Sequence, residues 1–311
     1  STMLKTIIGK KSVVVIDEAQ RISDIGIGIK LITDNIPDVQ VLATGSSSFD
    51  LSNKINEPLT GRKMEYWMYP LSFGELVEHH GLLEEKRLLA HRLIYGSYPD
   101  VINNVGDERM ILTELANSYL YKDILMFDKI KKSDKLVKLL QALAFQMGSE
   151  VSYNELAQTC GLDPKTVESY VTLLEQSYII FRLGSFSRNL RNELKFARKI
   201  YFWDCGIRNA VIGNYQMLES RLDTGALFEN YMVAERLKKL RYEKSYAKSY
   251  FWRSKLKQEI DYIEEMDGQL AAVEFKWNPN RKAAMPLSFS RSYPDVDFKV
   301  VTRDNFETFL L

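Results

Sequence analysis

Residues 11–20 read KSVVVIDEAQ, and this stretch decides the fold of the N-terminal part of the chain. Val13, Val14, Val15 and Ile16 are four consecutive β-branched residues, the composition of a strand covered on both faces in a parallel sheet. Asp17 and Glu18 follow at its C-terminal end, the edge of an α/β sheet where ligands bind. Working outward, residues 26–35 predict a short helix, and VQVLATGSSS at 39–48 predicts a second strand running into a Gly/Ser turn. A third apolar stretch, MEYWMYPLS at 64–72, follows Gly61 and Arg62 and predicts a third strand. Strand, helix and strand at this spacing is α/β packing, too short for a complete doubly wound domain.

An Asp-Glu pair at a strand end suits nucleotide chemistry. Asp17 would hold Mg²⁺ through water, and Glu18 would polarise the water that attacks a γ-phosphate. Thr44 and Ser46, at the end of the second strand, would reach the same water or phosphate. Arg62 is a candidate phosphate-sensing or trans-acting arginine. The plainer alternative is two acids capping the next helix. No G-x-x-x-x-G-K-[ST] occurs in the 311 residues. The glycines of Gly26-Ile-Gly28-Ile-Lys30 are too close together for such a loop and follow the acidic strand. Nothing is therefore expected to cradle the β- and γ-phosphates, and ATP hydrolysis is not expected of this chain. The opening Ser-Thr-Met reads as an internal start, with at least one strand and helix missing upstream.

Residues 72–145 predict helices, with apolar residues at three- and four-residue steps and a turn at Tyr95–Asp100. At 149–186 the pattern is helix, turn, helix, short strand. Gly161 ends the first helix, and Asp163 caps the second with Pro164 at its first position. Val167, Tyr170, Val171 and Leu174 form the core stripe of the second helix. This is winged-helix-like, with Lys165, Thr166 and Ser169 outward at the front of the candidate recognition helix. Such modules bind DNA or serve only protein contacts.

The last third predicts a strand and turn at 199–211, a helix at 225–240 and at least four strands, two joined by Asp267-Gly268. Asp261 lies in one strand of that hairpin. Glu274 and Lys276 lie two apart in the next, and so share a face. Glu259, two before Asp261, shares that residue's face, and Glu229 on the preceding helix is a fourth acid. Two carboxylates binding Mg²⁺ or Mn²⁺, with a lysine to position water, suit phosphodiester hydrolysis. A charge-paired network without catalysis is the rival reading. Two basic stretches stand out. Residues 182–199 include Arg188 and Arg191, and residues 236–257, including Lys255, hold nine Lys/Arg against one acid, interleaved with aromatics. They predict either a phosphate-backbone track or a solvated face whose aromatics are core.

Composition narrows the classes. Lys and Arg total 42 against 41 Asp and Glu, so whole-molecule steering toward nucleic acid or anionic lipid is not indicated. Cys160 and Cys205 form neither a metal spacing nor a disulfide framework, and His79, His80 and His91 lack zinc spacing. No apolar run is long enough for a signal peptide or a membrane span. The expected compartment is reducing and cytoplasmic.

The series VVVIDEAQ, LATGSSSFDLSNKINEPLTGRKMEYWMYPLSFGEL, YGSYPDVI, NSYLYKDI, VESYVTLLEQSYIIFRLGSFSRN, KIYFWDCGIRNAV, GALFENYMVAERL, FWRSKLKQEIDYI and AAVEFKW is ordered along nearly the whole chain. It resembles the bacterial and archaeal AAA+-like ATPases that carry a C-terminal domain of unknown function, DUF4143. The resemblance implies an α/β multidomain protein: a truncated P-loop ATPase core at 1–75, a helical region at 76–198 with a winged helix at about 133–186, and a restriction-endonuclease-like domain at 199–311. It also implies ATP and Mg²⁺ in the parent protein, with Asp17 and Glu18 as metal-binding and water-activating acids, Ser46 near the sensor position and Arg62 in the Gly-Arg turn. It matches Asp261, Glu274 and Lys276 to a nuclease-like strand pair and Glu229 to the helix before it. The expected partners are DNA, a protein partner or a second copy of the chain, and no membrane. Three functions follow as expectations: part of an ATP-dependent, DNA-associated ATPase, a metal-dependent nuclease, or a non-catalytic interaction module.

Overall fold

The structure is a computed structural model and describes residues 2–45, 62–118, 133–187 and 198–311. The chain divides into two compact units, one built on residues 1–68 and the other on residues 69–175 and 179–311.

The first unit is a small parallel α/β layer. Helix α1 (Thr2–Ile8) precedes β1 (Val13–Ile16), and helix α2 (Ile25–Asn35) crosses to β2 (Gln40–Ala43). The two strands pair in parallel from Val13↔Gln40 to Ile16↔Ala43. Leu4 and Ile8 of α1 and Ile25, Ile29 and Ile32 of α2 pack on Val14, Ile16, Val41 and Ala43. The expectation of a strand covered on both faces is not met. Val13, Val15 and Leu42 are 44%, 64% and 47% exposed, because both helices lie on the same side of the pair. Nor does a strand form at 64–72. Met64, Tyr66 and Met68 are exposed. Tyr69, the first residue of the second unit, stacks on Trp203 at 4.3 Å and accepts a hydrogen bond from Arg241.

The second unit begins with helices α3 (Phe73–His80), α4 (Leu82–Arg87), α5 (Leu89–Tyr95), α6 (Pro99–Asn103), α7 (Glu108–Ser118) and α8 (Ser133–Phe145). Helix α3 opens on a capping box, with the Ser72 hydroxyl accepting from Glu75 N–H and the Glu75 carboxylate accepting from Ser72 N–H. Then come β3 (Glu150–Val151), α9 (Tyr153–Cys160), α10 (Pro164–Gln176), β4 (Ile180–Ser185) and β5 (Arg198–Phe202). This is the expected helix-turn-helix and wing. Gly161 adopts φ 63°, Asp163 accepts Thr166 N–H at 2.9 Å, and Val167, Tyr170, Val171 and Leu174 are buried.

Helix α11 (Cys205–Ile212) replaces the turn expected there, since Asp204 caps it by accepting Ile207 N–H at 3.0 Å. Helix α12 (Thr224–Tyr242) follows, then β6 (Lys248–Arg253), β7 (Glu259–Met266), β8 (Gln269–Lys276), α13 (Leu287–Ser292), β9 (Asp297–Thr302) and α14 (Glu307–Leu310). Asp267 and Gly268 both take positive φ in the β7–β8 hairpin, as a two-residue turn of this composition requires.

One mixed sheet runs through this unit in the order β3-β5-β4-β6-β7-β8-β9. Strand β4 joins its two parts. Residues 180–183 pair antiparallel with β5, and Gly184 and Ser185 pair in parallel with Tyr250 and Phe251 of β6. The wing of the helix-turn-helix is thus continuous with the C-terminal sheet, and the boundary expected between 198 and 199 falls inside β5.

A buried polar frame holds the helices. Asn209 donates to the Leu93 and Ile94 carbonyls, and Asp204 accepts Ser97 N–H at 2.7 Å. Arg208 and Arg221 both pair with Asp223, whose carboxyl they hold down near pKa 2 against the upward push of burial. Lys238 and Glu235 form a fully buried pair at 2.7 Å. Much of the YGSYPD and WDCGIRNA motifs is this frame. Among the described residues, no helix is long and apolar enough to cross a membrane.

Candidate functional site

The C-terminal cluster is assembled by α12, β5, β7 and β8. Asn230 fixes α12 against β5: its side chain accepts Phe202 N–H at 2.7 Å and donates to the Phe202 carbonyl at 3.0 Å. That clamp brings the neighbouring Glu229 to the side chains of β5. Glu229 Oε1 accepts from Lys199 Nζ at 3.0 Å and from the Tyr201 hydroxyl at 2.6 Å. On the other side of the cluster, β7 carries a bulge. Tyr250 pairs with Ile263 and Trp252 with Ile260, so an extra residue is accommodated in the stretch that contains Asp261. Bulges re-aim side chains and recur beside active sites. The regular β7–β8 pairing ends at Tyr262↔Val273. One residue beyond, the Asp261 carboxylate accepts Phe275 N–H at 2.9 Å. Lys276 Nζ lies 2.6 Å from Glu274 and 4.0 Å from Asp261.

Asp261, Glu274 and Lys276 are therefore brought together, as the strand spacing predicts, and Glu229 joins them from α12. Burial, reinforced by the charges of Glu229 and Glu274, pushes the Asp261 carboxyl up to about 8, although Lys199 and the Phe275 N–H act in the opposite sense. Burial alone would lower the Lys199 ammonium, but Glu229, Glu259 and Asp261 outweigh it and hold Lys199 above its ordinary value. Two residues of this cluster, Lys199 and Tyr201, escape sequence reasoning. Lys199 reads as one more member of a basic run, yet it is 1% exposed. The signal available was a single charge at the head of the apolar run IYFW.

Among the described residues, no three Asp, Glu, His or Cys side chains converge on one point that would hold a metal ion. Mg²⁺ does not need three: it is commonly bound by one or two carboxylates, with waters and substrate phosphates completing its shell. Asp261 and Glu274, beside a lysine, fit that demand.

At the end of β1, Asp17 accepts a hydrogen bond from the Thr44 hydroxyl, and Thr44 N–H donates to the Ile16 carbonyl at 2.9 Å. Glu18 adopts φ 49°, uncommon for a residue with a side chain, and its carboxylate takes Gln20 at 2.8 Å and Arg21 at 3.2 Å. The acids are at the strand edge, but Glu18 is turned to partners in its own loop. Arg62 is not with them: it pairs with Asp34 at 2.6 Å. Ser46 lies outside the described residues, as do Arg188 and Arg191. These residues fit a bound Mg²⁺-nucleotide only alongside a phosphate loop, and the 311 residues contain none.

Lys165 and Ser169 are exposed on α10 and Thr166 is half-buried, its hydroxyl donating to Asp163 at 2.5 Å. Lys255 is exposed on the turn after β6. The basic stretch at 236–257 is divided: Arg241, Lys244, Lys248, Lys255 and Lys257 are exposed, and the other four cations are ion-paired. Arg236 pairs with Glu264, Lys238 with Glu235, Lys239 with Glu243, and Arg253 with Glu150 and Glu259. Phe251 is fully buried, and Tyr250 and Trp252 pack on the core around Phe289. A stacking track through these three aromatics is not formed.

Comparison with known families gives three matches in order. Residues 1–77 match the family model of an AAA domain, residues 86–217 a domain of unknown function (DUF8612), and residues 224–308 a domain of unknown function (DUF4143). The chain thus has an N-terminal ATPase-related segment, a central domain and a C-terminal DUF4143 domain, the order that the sequence resemblance implies. Among individual proteins, it is 26% identical over 188 residues to an uncharacterized protein of Haemophilus influenzae, covering 57% of this chain and 46% of that one. It is 25% identical over 276 residues to an uncharacterized protein of Mycobacterium tuberculosis, covering 86% of this chain and 59% of that one. The chain spans about half the length of these relatives. No solved structure matches it.

Proposed function

We propose that this chain is part of a DNA-associated, ATPase-related protein whose C-terminal site cleaves phosphodiester bonds with a divalent ion. One observation carries the reading: Asp261, Glu274 and Lys276 meet at a β-bulge, with Lys276 within 4.0 Å of both carboxylates. Asp261 and Glu274 would hold Mg²⁺ or Mn²⁺, which when bound supplies charge neutralisation at the phosphate and an acidified water. Lys276 orients the attacking water or a phosphate oxygen, and Phe275 N–H fixes the Asp261 carboxylate. This arrangement is the one expected of a restriction-endonuclease-like strand pair.

The test is cleavage of plasmid and single-stranded DNA with Mg²⁺, with Mn²⁺ and with EDTA. Metal-dependent cleavage is expected, with a loss of about 100-fold in Lys276→Ala. An unaffected rate in that variant sinks the assignment. Absence of any cleavage favours the rival: an ion-paired structural network in a module used for protein contacts, a reading supported by the lysine partners that Glu229 and Glu274 already have.

At the N-terminal end, Asp17, Glu18 and Thr44 would serve a Mg²⁺-nucleotide together with a phosphate loop and Ser46, with Arg62 released from Asp34 to sense phosphate. By that reading these 311 residues do not hydrolyse ATP by themselves. ATP turnover by this chain that falls in Glu18→Gln would overturn it.

A further inference from the structure

The C-terminal cluster contains two lysines in very different settings. The Lys276 side chain is 25% exposed, that of Lys199 only 2%. Lys199 leaves β5 between Arg198 and Ile200 and is enclosed. Its Nζ lies 3.0 Å from Glu229 Oε1 and 2.5 Å from Glu259 Oε1, and 5.4 Å from the centre of the Phe251 ring. Glu229 comes from α12 and Glu259 from β7, so one ammonium ties three elements together. Both carboxylates have further partners in the chain. Glu229 accepts the Tyr201 hydroxyl at 2.6 Å, and Arg253 faces Glu259 at 3.5 Å while reaching Glu150 at 3.1 Å. Gly148 closes the space beside Glu229, where a Cβ would stand 3.5 Å from Oε1.

The four carboxylates therefore fall into two pairs. Glu229 and Glu259 share an ammonium whose side chain is only 2% exposed, and each has a second donor. Asp261 and Glu274 share the ammonium of Lys276, which is partly exposed, and Asp261 also accepts Phe275 N–H. A lysine's charge is compact, and its three donors suit it to bridge carboxylates as a small cation does. A dication brought to Glu229 and Glu259 would meet that ammonium at close range, where like charges repel.

We infer that Lys199 stands in the cluster as a fixed second cation, so that the site takes a single divalent ion at Asp261 and Glu274 and uses Glu229 to hold Lys199 rather than the metal. The inference rests on the reading of the cluster as a metal-dependent site. Lys199 is thus a positioning residue: it keeps Glu229 and Glu259 neutralised and in place beside the metal-binding pair.

The experiment is a Mn²⁺ titration of the whole chain, followed by calorimetry and by the electron paramagnetic resonance of free Mn²⁺. The unaltered protein is expected to bind one ion, and Asp261→Asn to bind none. Glu229→Gln, a near-isosteric change that keeps the Tyr201 contact, is expected to bind one ion with an affinity changed by less than about threefold, whereas loss of a true ligand costs about tenfold or more. Lys199→Met, if it folds, is expected to admit a second ion, and Lys199→Arg to keep the count at one. Two ions in the unaltered protein, or a tenfold weakening in Glu229→Gln, overturns the inference and leaves the metal-dependent reading intact. No Mn²⁺ binding in the unaltered protein overturns both.

Discussion

At Asp261 a buried charge is set against stability, and the pH dependence shows how. The carboxyl titrates near 3.9 in an unfolded chain, and near 8 in this fold, where burial comes first and Glu229 and Glu274 add to it. Between those values the folded state binds the extra proton, so stability declines as pH rises from about 4 to about 8 and is level beyond. Asp261→Asn keeps an acceptor for Phe275 N–H and removes the charge. In EDTA, its melting temperature should match that of the unaltered protein near pH 4 and exceed it by several degrees near pH 8, the gap growing steadily between the two. The same substitution should abolish cleavage. A melting difference that is constant from pH 4 to 8 would show that Asp261 titrates normally. A residue that costs stability by its charge, at the point where two strands part, has the signature of function rather than of packing. Asp261, Glu274 and Lys276 were legible in sequence because strand alternation and the Asp267-Gly268 turn fix which residues meet. Lys199 was not, because nothing local distinguishes a buried lysine from a solvated one. Only the docking of α12 and β7, both distant in sequence, decides that.

Among the elements, the helix-turn-helix was the most legible, since its caps and core stripe are local properties. Helix α11 was missed for a related reason: its Asp204 cap is local, but the short helix is stabilised by distant contacts. Two glycines report those contacts. A Cβ on Gly96, which has φ 71°, would lie 2.1 Å from Asp204 Oδ1, and one on Gly206 would lie 2.2 Å from the Tyr95 carbonyl oxygen. Backbone cannot yield as a side chain can, so Gly206→Ala should destabilise the second unit by about 3 kcal/mol, read by urea denaturation. A loss below about 0.5 kcal/mol would mean that α11 and the Tyr95 turn can separate freely. Helix α10 raises the question of DNA. Its outward Lys165 would contribute one phosphate contact, so Lys165→Glu should weaken DNA binding and reduce the slope of log affinity against log salt by about 1. If affinity and slope are both unchanged, α10 faces another partner. Glu168, exposed beside Lys165, makes the local field weaker than in a strongly basic recognition helix.

At the scale of the molecule, the sheet unites what the sequence divides. Composition and motif spacing suggest a winged helix followed by a separate α/β domain, because each stretch has its own periodicity. Pairing between strands distant in sequence leaves no periodic trace, so the role of β4 as the seam was not legible. Its first four residues bind β5, its last two bind β6, and β5 in turn supplies Lys199 and Tyr201 to the acid cluster on α12. A piece cut at the expected boundary, residues 199–311, would lose β3, β4 and Arg198. It would expose the pairing edge of β6 and the buried face of β5, and it would leave Trp203 without Phe181, now 4.4 Å away. Such an edge favours aggregation over folding. The piece is therefore expected to lack the near-ultraviolet circular dichroism of a packed core, whereas residues 69–311 should give it and unfold in one urea transition seen alike by fluorescence and circular dichroism. Two separated transitions in the longer piece, or a cooperative fold in the shorter one, would show that the wing and the acid cluster are independent modules. A single transition would show that the wing and the cluster fold as one cooperative unit, joined through β5, the strand that carries Lys199.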